Sequence, residues 1–157
     1  MPQVKTPALA DALATAGIGF DVLDHERTDR AADEARALGL RPGEVAKTIV
    51  VHTPEGYVRV VIAAADRIDM HKIRDLVPGG KDARLATEEE LGRDFPEFEL
   101  GAVPPVGGPP GRVLVDRKVA ALEAVVLEAG AHDQSIKLET ADLVRVTRAD
   151  VVDAVVD

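Results

Sequence analysis

The sequence of 157 residues contains no cysteine and no tryptophan, and only 3% of its residues are aromatic. The lack of cysteine excludes disulfides, thiolate metal sites and a cysteine nucleophile. With so few aromatic side chains, the core must be built from Val, Leu, Ile and Ala. No stretch approaches the roughly 20 apolar residues of a membrane-spanning helix, and residues 1–7 lack the apolar core of a signal peptide. We therefore expect a cytoplasmic protein that does not associate with membranes.

Positive charge is also scarce, because 19 Lys and Arg are set against 28 Asp and Glu, for a net charge of −9. This balance argues against a protein that holds long nucleic acids by charge alone. The deficit is uneven: residues 1–85 carry 12 basic and 13 acidic residues, whereas residues 86–157 carry 7 and 15. A polyanion would therefore approach the N-terminal half. The alternative is that the acidic surface serves only solubility.

The length and a hydrophobic share of 46% are typical of one globular domain, and we expect residues 1–157 to form it. The clearest local pattern predicts a β-hairpin, with strands at Lys47–His52 and Tyr57–Ala65. Two further short strands, Val125–Leu127 and Ile136–Leu138, are expected on either side of a loop at Gly130–Gln134.

Capping signals predict short helices among these strands. A first helix should begin after Thr6 and end at Gly17, another should begin after Asp69, and a capping box at Thr87–Glu90 should open a third. Since helices and strands alternate irregularly, the pattern favours a mixed sheet with helices around it over a doubly wound parallel sheet.

The segment Leu100–Gly107 reads Leu-Gly-Ala-Val-Pro-Pro-Val-Gly, which helices and central strands do not tolerate. Gly101 and Pro105 form a Gly-x-x-x-Pro pattern within it. A stiff loop of this kind can press backbone N–H groups against a small ligand. The alternative interpretation is a plain surface connection between two elements.

Lys47 begins a predicted strand in which period-two alternation places it on one face with Ile49 and Val51. A lysine that shares a face with apolar residues has two interpretations. Its ammonium group can snorkel to the rim of the core, or it can point into a pocket as a fixed cation for a phosphate or carbonyl oxygen.

His132 follows Ala129–Ala131 at the end of a predicted strand. It is either a partly exposed loop histidine or the polar wall of a pocket, since imidazole can donate or accept near neutral pH. The other histidines, His25, His52 and His71, are scattered, and no two histidines have the spacing of a helical zinc site. We therefore expect neither a metal nor a cofactor.

Six segments of the chain resemble, in their order and spacing, the YbaK/EbsC family, which is related to the editing insertion of bacterial prolyl-tRNA synthetase. Each segment is weak alone, but their shared order makes the resemblance specific, and it covers roughly residues 20–155. The segments are Val45–Thr48, Asp66–Ile73, Arg84–Leu91, Gly101–Pro105, Val113–Asp116 and Ala129–His132.

The resemblance implies a mixed α/β (α+β) fold, with a curved and partly barrel-like mixed β-sheet surrounded by short helices. It also implies hydrolysis of a misattached amino acid from the 3′ end of tRNA by water and the substrate's own ribose hydroxyl, with no metal. An aminoacyl ester is already activated, so positioning and oxyanion stabilisation can suffice. The expected partner is the acceptor end of aminoacyl-tRNA, and an aminoacyl-tRNA synthetase is a candidate second partner.

The same resemblance implies roles for particular residues. Lys47 is the main functional side chain, near the acceptor-end adenosine, and Gly101 completes the catalytic pair. The loop from Gly101 to Pro105 holds the aminoacyl group. The expected substrate-binding residues are Thr48, Pro105, Val106, Gly130, Ala131 and His132.

Two departures from the family pattern concern pocket size and polarity. Val106 stands where a bulky residue is common, and Ala131 stands where a small hydroxylated residue is common. We expect trans-editing of a small amino acid such as Ala, Ser, Thr or Cys, with rejection of bulky ones. The alternative is a non-catalytic binding module of the same fold that docks a synthetase or a small ligand, but the presence of Lys47 favours the enzyme.

Overall fold

A computed structural model describes residues 3–157 of the protein. Eight strands and six α-helices alternate irregularly along the chain, as the capping and alternation patterns predict. The strands are β1 (Phe20–Asp24), β2 (Val45–Thr53), β3 (Gly56–Ala63), β4 (Arg84–Leu85), β5 (Arg112–Asp116), β6 (Ala124–Ala131), β7 (Gln134–Glu139) and β8 (Asp150–Val152). The helices are α1 (Pro7–Ala16), α2 (Ala31–Ala37), α3 (Met70–Leu76), α4 (Glu88–Asp94), α5 (Arg117–Ala120) and α6 (Thr140–Thr147).

The strands form one mixed sheet in the order β1-β7-β6-β2-β3-β5-β8, with β4 paired to β2 outside this path. The sheet is not closed, because its end strands β1 and β8 each have a single neighbour in this order. The pairs β2–β6, β3–β5 and β5–β8 are parallel, and the pairs β1–β7, β6–β7, β2–β3 and β2–β4 are antiparallel. The expected fold class, a mixed sheet with short helices around it, is confirmed.

The helix ends follow the capping chemistry of the sequence. Thr87 accepts a hydrogen bond from the backbone N–H of Glu90, and the Glu90 carboxylate accepts one from the N–H of Thr87, which is the predicted capping box. Asp69 caps α3 through the N–H groups of the two residues that follow Met70. Thr6 precedes α1 as predicted but makes no side-chain capping bond.

The hairpin of β6 and β7 differs from the expectation. β6 continues through Ala131, so only two residues separate it from β7, and the predicted loop at Gly130–Gln134 is wrong. Gly130 lies inside the strand with φ +86°, where the pairing register shifts between Glu128 and Ala131. A glycine permits this left-handed bulge. In the sequence the same glycine interrupts the apolar pattern, which is why the pattern predicts that the strand ends there.

The pairing of β2 leaves an opening in the sheet. One edge of β2 pairs with β3 from Ala46 to Thr53. The other edge is shared: β6 pairs with Val45 and Ala46, and β4 pairs with Val51 and His52. Residues 47–50 therefore have no strand partner on that edge, and we call this segment the β2 gap.

A buried polar cluster lies beneath α2. The side chain of Glu34 is fully buried, one of its oxygens accepts a hydrogen bond from the Ser135 hydroxyl, and the other has no partner within residues 3–157. The same hydroxyl lies 2.8 Å from Nε2 of His25. Burial raises the pKa of Glu34 to about 8, and the nearby carboxyl of Glu128 adds to the rise.

We expect this carboxyl to make the protein less stable as the pH rises. A group with a raised pKa in the folded state contributes stability that is fully present below the unfolded value of 4.5 and is lost as the pH passes about 8. Glu34→Gln removes the titration, so between pH 5 and pH 8 this variant should lose roughly 3–4 kcal/mol less free energy of unfolding than the unmodified protein. Urea unfolding at a series of pH values measures this difference.

The matched control is Glu97→Gln, since Glu97 is an exposed glutamate on a loop. Its stability should fall with pH as steeply as that of the unmodified protein. Parallel pH curves for Glu34→Gln and the unmodified protein would show that Glu34 is already ionised in the folded state.

Within residues 3–157, no helix has the length and apolar character needed to cross a membrane.

Candidate active site

A cavity of about 410 Å³ opens beside the β2 gap. All four residues of the gap line it, together with Gly101 and the end of β4. Its apolar surface comes from Ile49, Val50, Ala86, Leu91 and Val103, and its polar surface from Asp29, Arg30, Lys47, Thr48 and Glu128. A larger depression of about 600 Å³ beside α6 contains none of the residues singled out from the sequence.

Lys47 presents a partly buried cation to this cavity. Its Nζ donates one hydrogen bond to the Ala64 carbonyl, at 3.1 Å. An ammonium group has three donors, so two remain for a ligand. Burial lowers the pKa of Lys47, while the charge of Asp66 opposes this shift. The side chain is therefore fixed at one end of the cavity surface, where reduced hydration strengthens its interaction with an anionic group.

Gly101 lies in the loop of residues 95–111, which joins α4 to β5. It is exposed and lines the same cavity as Lys47. Its φ is +82°, a left-handed conformation that costs other residues about 1–2 kcal/mol. The preceding carbonyl, that of Leu100, lies 2.5 Å from His132 Nε2 and accepts a hydrogen bond from it. The loop is thus held at the residue next to Gly101.

Arg59 holds the second half of this loop from inside the protein. Its guanidinium donates to the carbonyls of Pro104, Gly107 and Pro109, at 2.7, 2.8 and 2.8 Å. It lies 5.5 Å from the ring centre of Phe95 and is only 5% exposed. Burial lowers the pKa of Arg59 to about 10, which leaves it charged at neutral pH.

His132 and Glu128 form a largely buried pair at the cavity wall, which Glu128 lines. Because the Leu100 carbonyl can only accept, Nε2 of His132 carries a proton and Nδ1 faces Glu128 Oε2 at 2.9 Å. Neither of these two atoms has another polar partner within residues 3–157. Burial raises the pKa of Glu128 to about 8, helped by the charges of Glu99 and Asp29.

The structure brings together three of the eight residues predicted for the site, since Lys47, Thr48 and Gly101 line the same cavity. The other five lie behind it. Pro105 and Val106 are buried in the loop, Ala131 is 8% exposed, and His132 is 5% exposed. The roles of all eight residues in substrate binding and catalysis stay predictions.

Gly130 has a packing constraint of its own. A Cβ atom there would come within 2.7 Å of Thr6 Oγ1 and 2.9 Å of Phe98 Cδ1, contacts that are too short to accommodate. The Gly130 carbonyl also accepts a hydrogen bond from the N–H of Glu99, at 2.9 Å. Gly130 therefore fixes the start of the loop that carries Gly101.

Sequence reasoning missed Glu128 and Arg59. Glu128 follows four apolar positions in a strand and precedes the Ala-Gly-Ala-His segment, and a charged residue among buried ones was the available signal. Arg59 likewise interrupts the run Val58–Ala65. Within residues 3–157, no three His, Asp or Glu side chains are grouped so as to hold a metal ion.

We expect Gly101→Ala to lower activity far more than stability. A Cβ at this position meets only the edge of the His132 ring, at 3.4 Å, so the cost to the fold is the φ strain of about 1–2 kcal/mol, or roughly 2–8 °C in Tm for a chain of this size. The displaced backbone would disturb the cavity, and kcat/KM should fall at least about tenfold, as for a misplaced positioning group.

The matched control is Gly17→Ala, because Gly17 has φ +65° and open space around it, outside the cavity. It should show a similar loss of Tm with unchanged kcat/KM. If the two variants lost activity equally, Gly101 would be a connector with no role in the site.

Comparisons with known proteins assign this chain to a family. The family described as the aminoacyl-tRNA editing domain matches residues 25–146. The chain therefore belongs to the aminoacyl-tRNA editing domain family, and the resemblance seen in its six segments is confirmed.

Two curated relatives illustrate the range of the family. The chain is 38% identical over 104 residues to a proline–tRNA ligase of Xanthomonas axonopodis pv. citri (strain 306), a match that covers 64% of this chain and 18% of the ligase. It is 26% identical over 146 residues to the multifunctional Ser/Thr-tRNA deacylase ProXp-y of Escherichia coli K12, covering 89% of this chain and 86% of that protein. The chain thus spans about a fifth of the ligase but most of the length of ProXp-y.

A solved structure agrees with this assignment. The crystal structure of a candidate trans-editing enzyme for prolyl-tRNA synthetase superimposes with a TM-score of 0.86 and 27% sequence identity, covering 96% of this chain and 98% of that one. The similarity therefore extends over nearly the whole of both chains.

Proposed function

We propose that this protein is an aminoacyl-tRNA deacylase that removes a small misattached amino acid from the 3′ end of tRNA and acts in trans. The observation that carries the proposal is the cavity in which Lys47, Thr48 and Gly101 meet across the β2 gap. The relatives support it, because the match to ProXp-y covers most of a protein named as a deacylase. Residues 1–157 are proposed to act as one domain, in the cytoplasm where tRNA is used.

The proposed reaction assigns Lys47 to the terminal adenosine or its phosphate. The two free donors of its ammonium can hold an anionic or carbonyl oxygen, while the backbone at Gly101 holds the aminoacyl group. Water, assisted by the ribose hydroxyl of the substrate, adds to the ester carbonyl. The bond from the carbonyl carbon to the ribose oxygen then breaks, and the proton lost by water ends on that oxygen. The reaction needs neither a metal nor a cofactor.

The size and lining of the cavity favour small aminoacyl groups. Branched aliphatic side chains, those of Ile49, Val50, Leu91 and Val103, fill much of its surface. Sterics can exclude large side chains, but one methylene more or less is worth only about 1–3 kcal/mol. We therefore propose weak discrimination among Ala, Ser, Thr and Cys, with the tRNA supplying the remaining specificity. A synthetase is a further proposed partner that would deliver the tRNA.

A deacylation panel tests the proposal. The full chain is incubated with tRNA charged with Ala, Ser, Thr, Cys or Leu, and the release of each amino acid is compared with its release in buffer. We expect accelerated hydrolysis of at least one small ester and none of the Leu ester. Binding of charged tRNA without hydrolysis would support the alternative of a non-catalytic module, and faster hydrolysis of the Leu ester would contradict the small-pocket model.

A further inference from the structure

Glu128 is the acidic group through which the buried pair meets the cavity. Its side chain is nine-tenths buried, at 10% exposure, yet the residue lines the cavity that holds Lys47. Oε2 is buried and lies 2.9 Å from His132 Nδ1, which leaves Oε1 as the oxygen available to a ligand. One carboxyl oxygen is thus fixed by the protein, and the other is free to bind.

The surroundings of Glu128 favour a cation as the ligand. Asp29 lines the same cavity, and the charges of Glu99 and Asp29 raise the pKa of Glu128. An anion beside these groups would be repelled, and a neutral hydroxyl would gain less than a positive charge. The positive groups of the cavity are Lys47 and Arg30, so the cavity carries both signs of charge.

An aminoacyl ester matches this arrangement of charge. Its ester and the adjoining nucleotide present oxygen atoms, which suit Lys47. Its α-amino group presents a positive charge two bonds away from the ester carbonyl carbon. Resting on the proposed function, we propose that Glu128 binds the α-ammonium group of the aminoacyl ester and that His132 is the positioning residue that orients Glu128.

The buried pair holds one oxygen of Glu128 while the other faces the ligand. His132 Nδ1 lies 2.9 Å from Glu128 Oε2, and His132 Nε2 donates a hydrogen bond to the Leu100 carbonyl. A nearby cation favours the ionised carboxylate, so binding of an ammonium group opposes the rise in pKa that burial causes at Glu128.

The test compares two esters of almost identical shape. In lactyl-tRNA a hydroxyl replaces the ammonium of alanyl-tRNA, and the rest of the substrate is the same. We expect Glu128→Gln to lower kcat/KM on alanyl-tRNA by roughly 10- to 100-fold, the range for a hydrogen bond to a charged group, and to change kcat/KM on lactyl-tRNA by less than about threefold. Since each ester is compared between two enzymes, the different intrinsic reactivities of the esters cancel.

Two further variants separate recognition from folding. Glu34→Gln removes a carboxyl that is fully buried and does not line the cavity, and it should leave the ratio of the alanyl-tRNA rate to the lactyl-tRNA rate unchanged. His132→Asn should lower the ratio of kcat/KM on alanyl-tRNA to kcat/KM on lactyl-tRNA when Glu128 is present. In the Glu128→Gln background it should have no further effect on this ratio, as a double-mutant cycle requires for two residues that act together. Thermal melting of each variant reports its folding.

The outcomes distinguish this inference from the proposed function. If Glu128→Gln lowers both rates equally, or neither, Glu128 does not bind the ammonium group, and deacylation itself still stands. If the unmodified protein hydrolyses neither these esters nor any other of the small-amino-acid panel, the proposed function fails. An additive effect of His132→Asn on the ratio would remove His132 from the positioning role.

Discussion

Lys47→Ala is expected to lower kcat/KM for deacylation by about 10²- to 10³-fold, the usual cost of removing one preorganised charge-stabilising donor. The loss should be large because the Lys47 ammonium lies in the β2 gap with a single protein partner, the Ala64 carbonyl. Stability should change little, since the side chain is only half-buried and, among residues 3–157, its one hydrogen bond goes to a backbone carbonyl and none to a carboxylate. Single-turnover deacylation of the best small ester and a thermal melt measure the two effects.

Lys137→Ala is the matched control for this experiment. Lys137 also lies on a strand of the sheet, but it is exposed and lies outside the cavity. Its loss should leave deacylation unchanged. Normal turnover by Lys47→Ala would remove Lys47 from the reaction and leave the cavity without its assigned cation.

The largest effect on stability is expected from Arg59→Met. The substitution keeps much of the side-chain volume but leaves the carbonyls of Pro104, Gly107 and Pro109 without their donor. One of these three bonds is buried and two are part-buried. A buried acceptor left without its donor costs about 1–3 kcal/mol, so the free energy of unfolding should fall by roughly 3–5 kcal/mol in total. Because the same carbonyls shape the loop that carries Gly101, we expect kcat/KM to fall as well. Urea unfolding and deacylation assays measure both losses.

Two variants serve as controls for Arg59→Met. Arg59→Lys keeps the charge, but one ammonium cannot reproduce the planar fork of a guanidinium, and it should recover only part of the stability. Arg112→Met removes an exposed arginine of β5 that pairs with Asp150 and should cost less than about 1 kcal/mol. Equal losses for Arg59→Met and Arg112→Met would show that the three carbonyls find other donors.

Local patterns were sufficient to predict the elements that depend on neighbours in the chain. The β2–β3 hairpin follows from alternation and a turn, and α4 follows from its capping box. That Lys47 and Gly101 line the same cavity was expected from the family resemblance and not from alternation. The two residues are 54 positions apart in the sequence, so their placement depends on the order of strands.

The parts that could not be predicted depend on that order. The β2 gap exists because β6 and β4 divide one edge of β2 between them, and no local pattern encodes such a division. Glu128 and Arg59 have charged side chains in apolar strands, and only the tertiary structure shows what each one faces. Gly130 was expected to line a pocket, which stays a prediction; that a Cβ there would come within 2.7 Å of Thr6 Oγ1 and 2.9 Å of Phe98 Cδ1 is visible only in the tertiary structure.

Binding of a substrate analogue that cannot be hydrolysed tests the central claim most directly. In 3′-alanylamido-3′-deoxyadenosine an amide replaces the ester, so the bound state persists while backbone amide NMR shifts are recorded for the whole chain. We predict that the largest shift changes fall on residues 47–50 and on Gly101 and Val103, which line the cavity beside the β2 gap. Changes centred on the depression beside α6, with residues 47–50 unaffected, would contradict the assignment of this cavity as the site of the aminoacyl group.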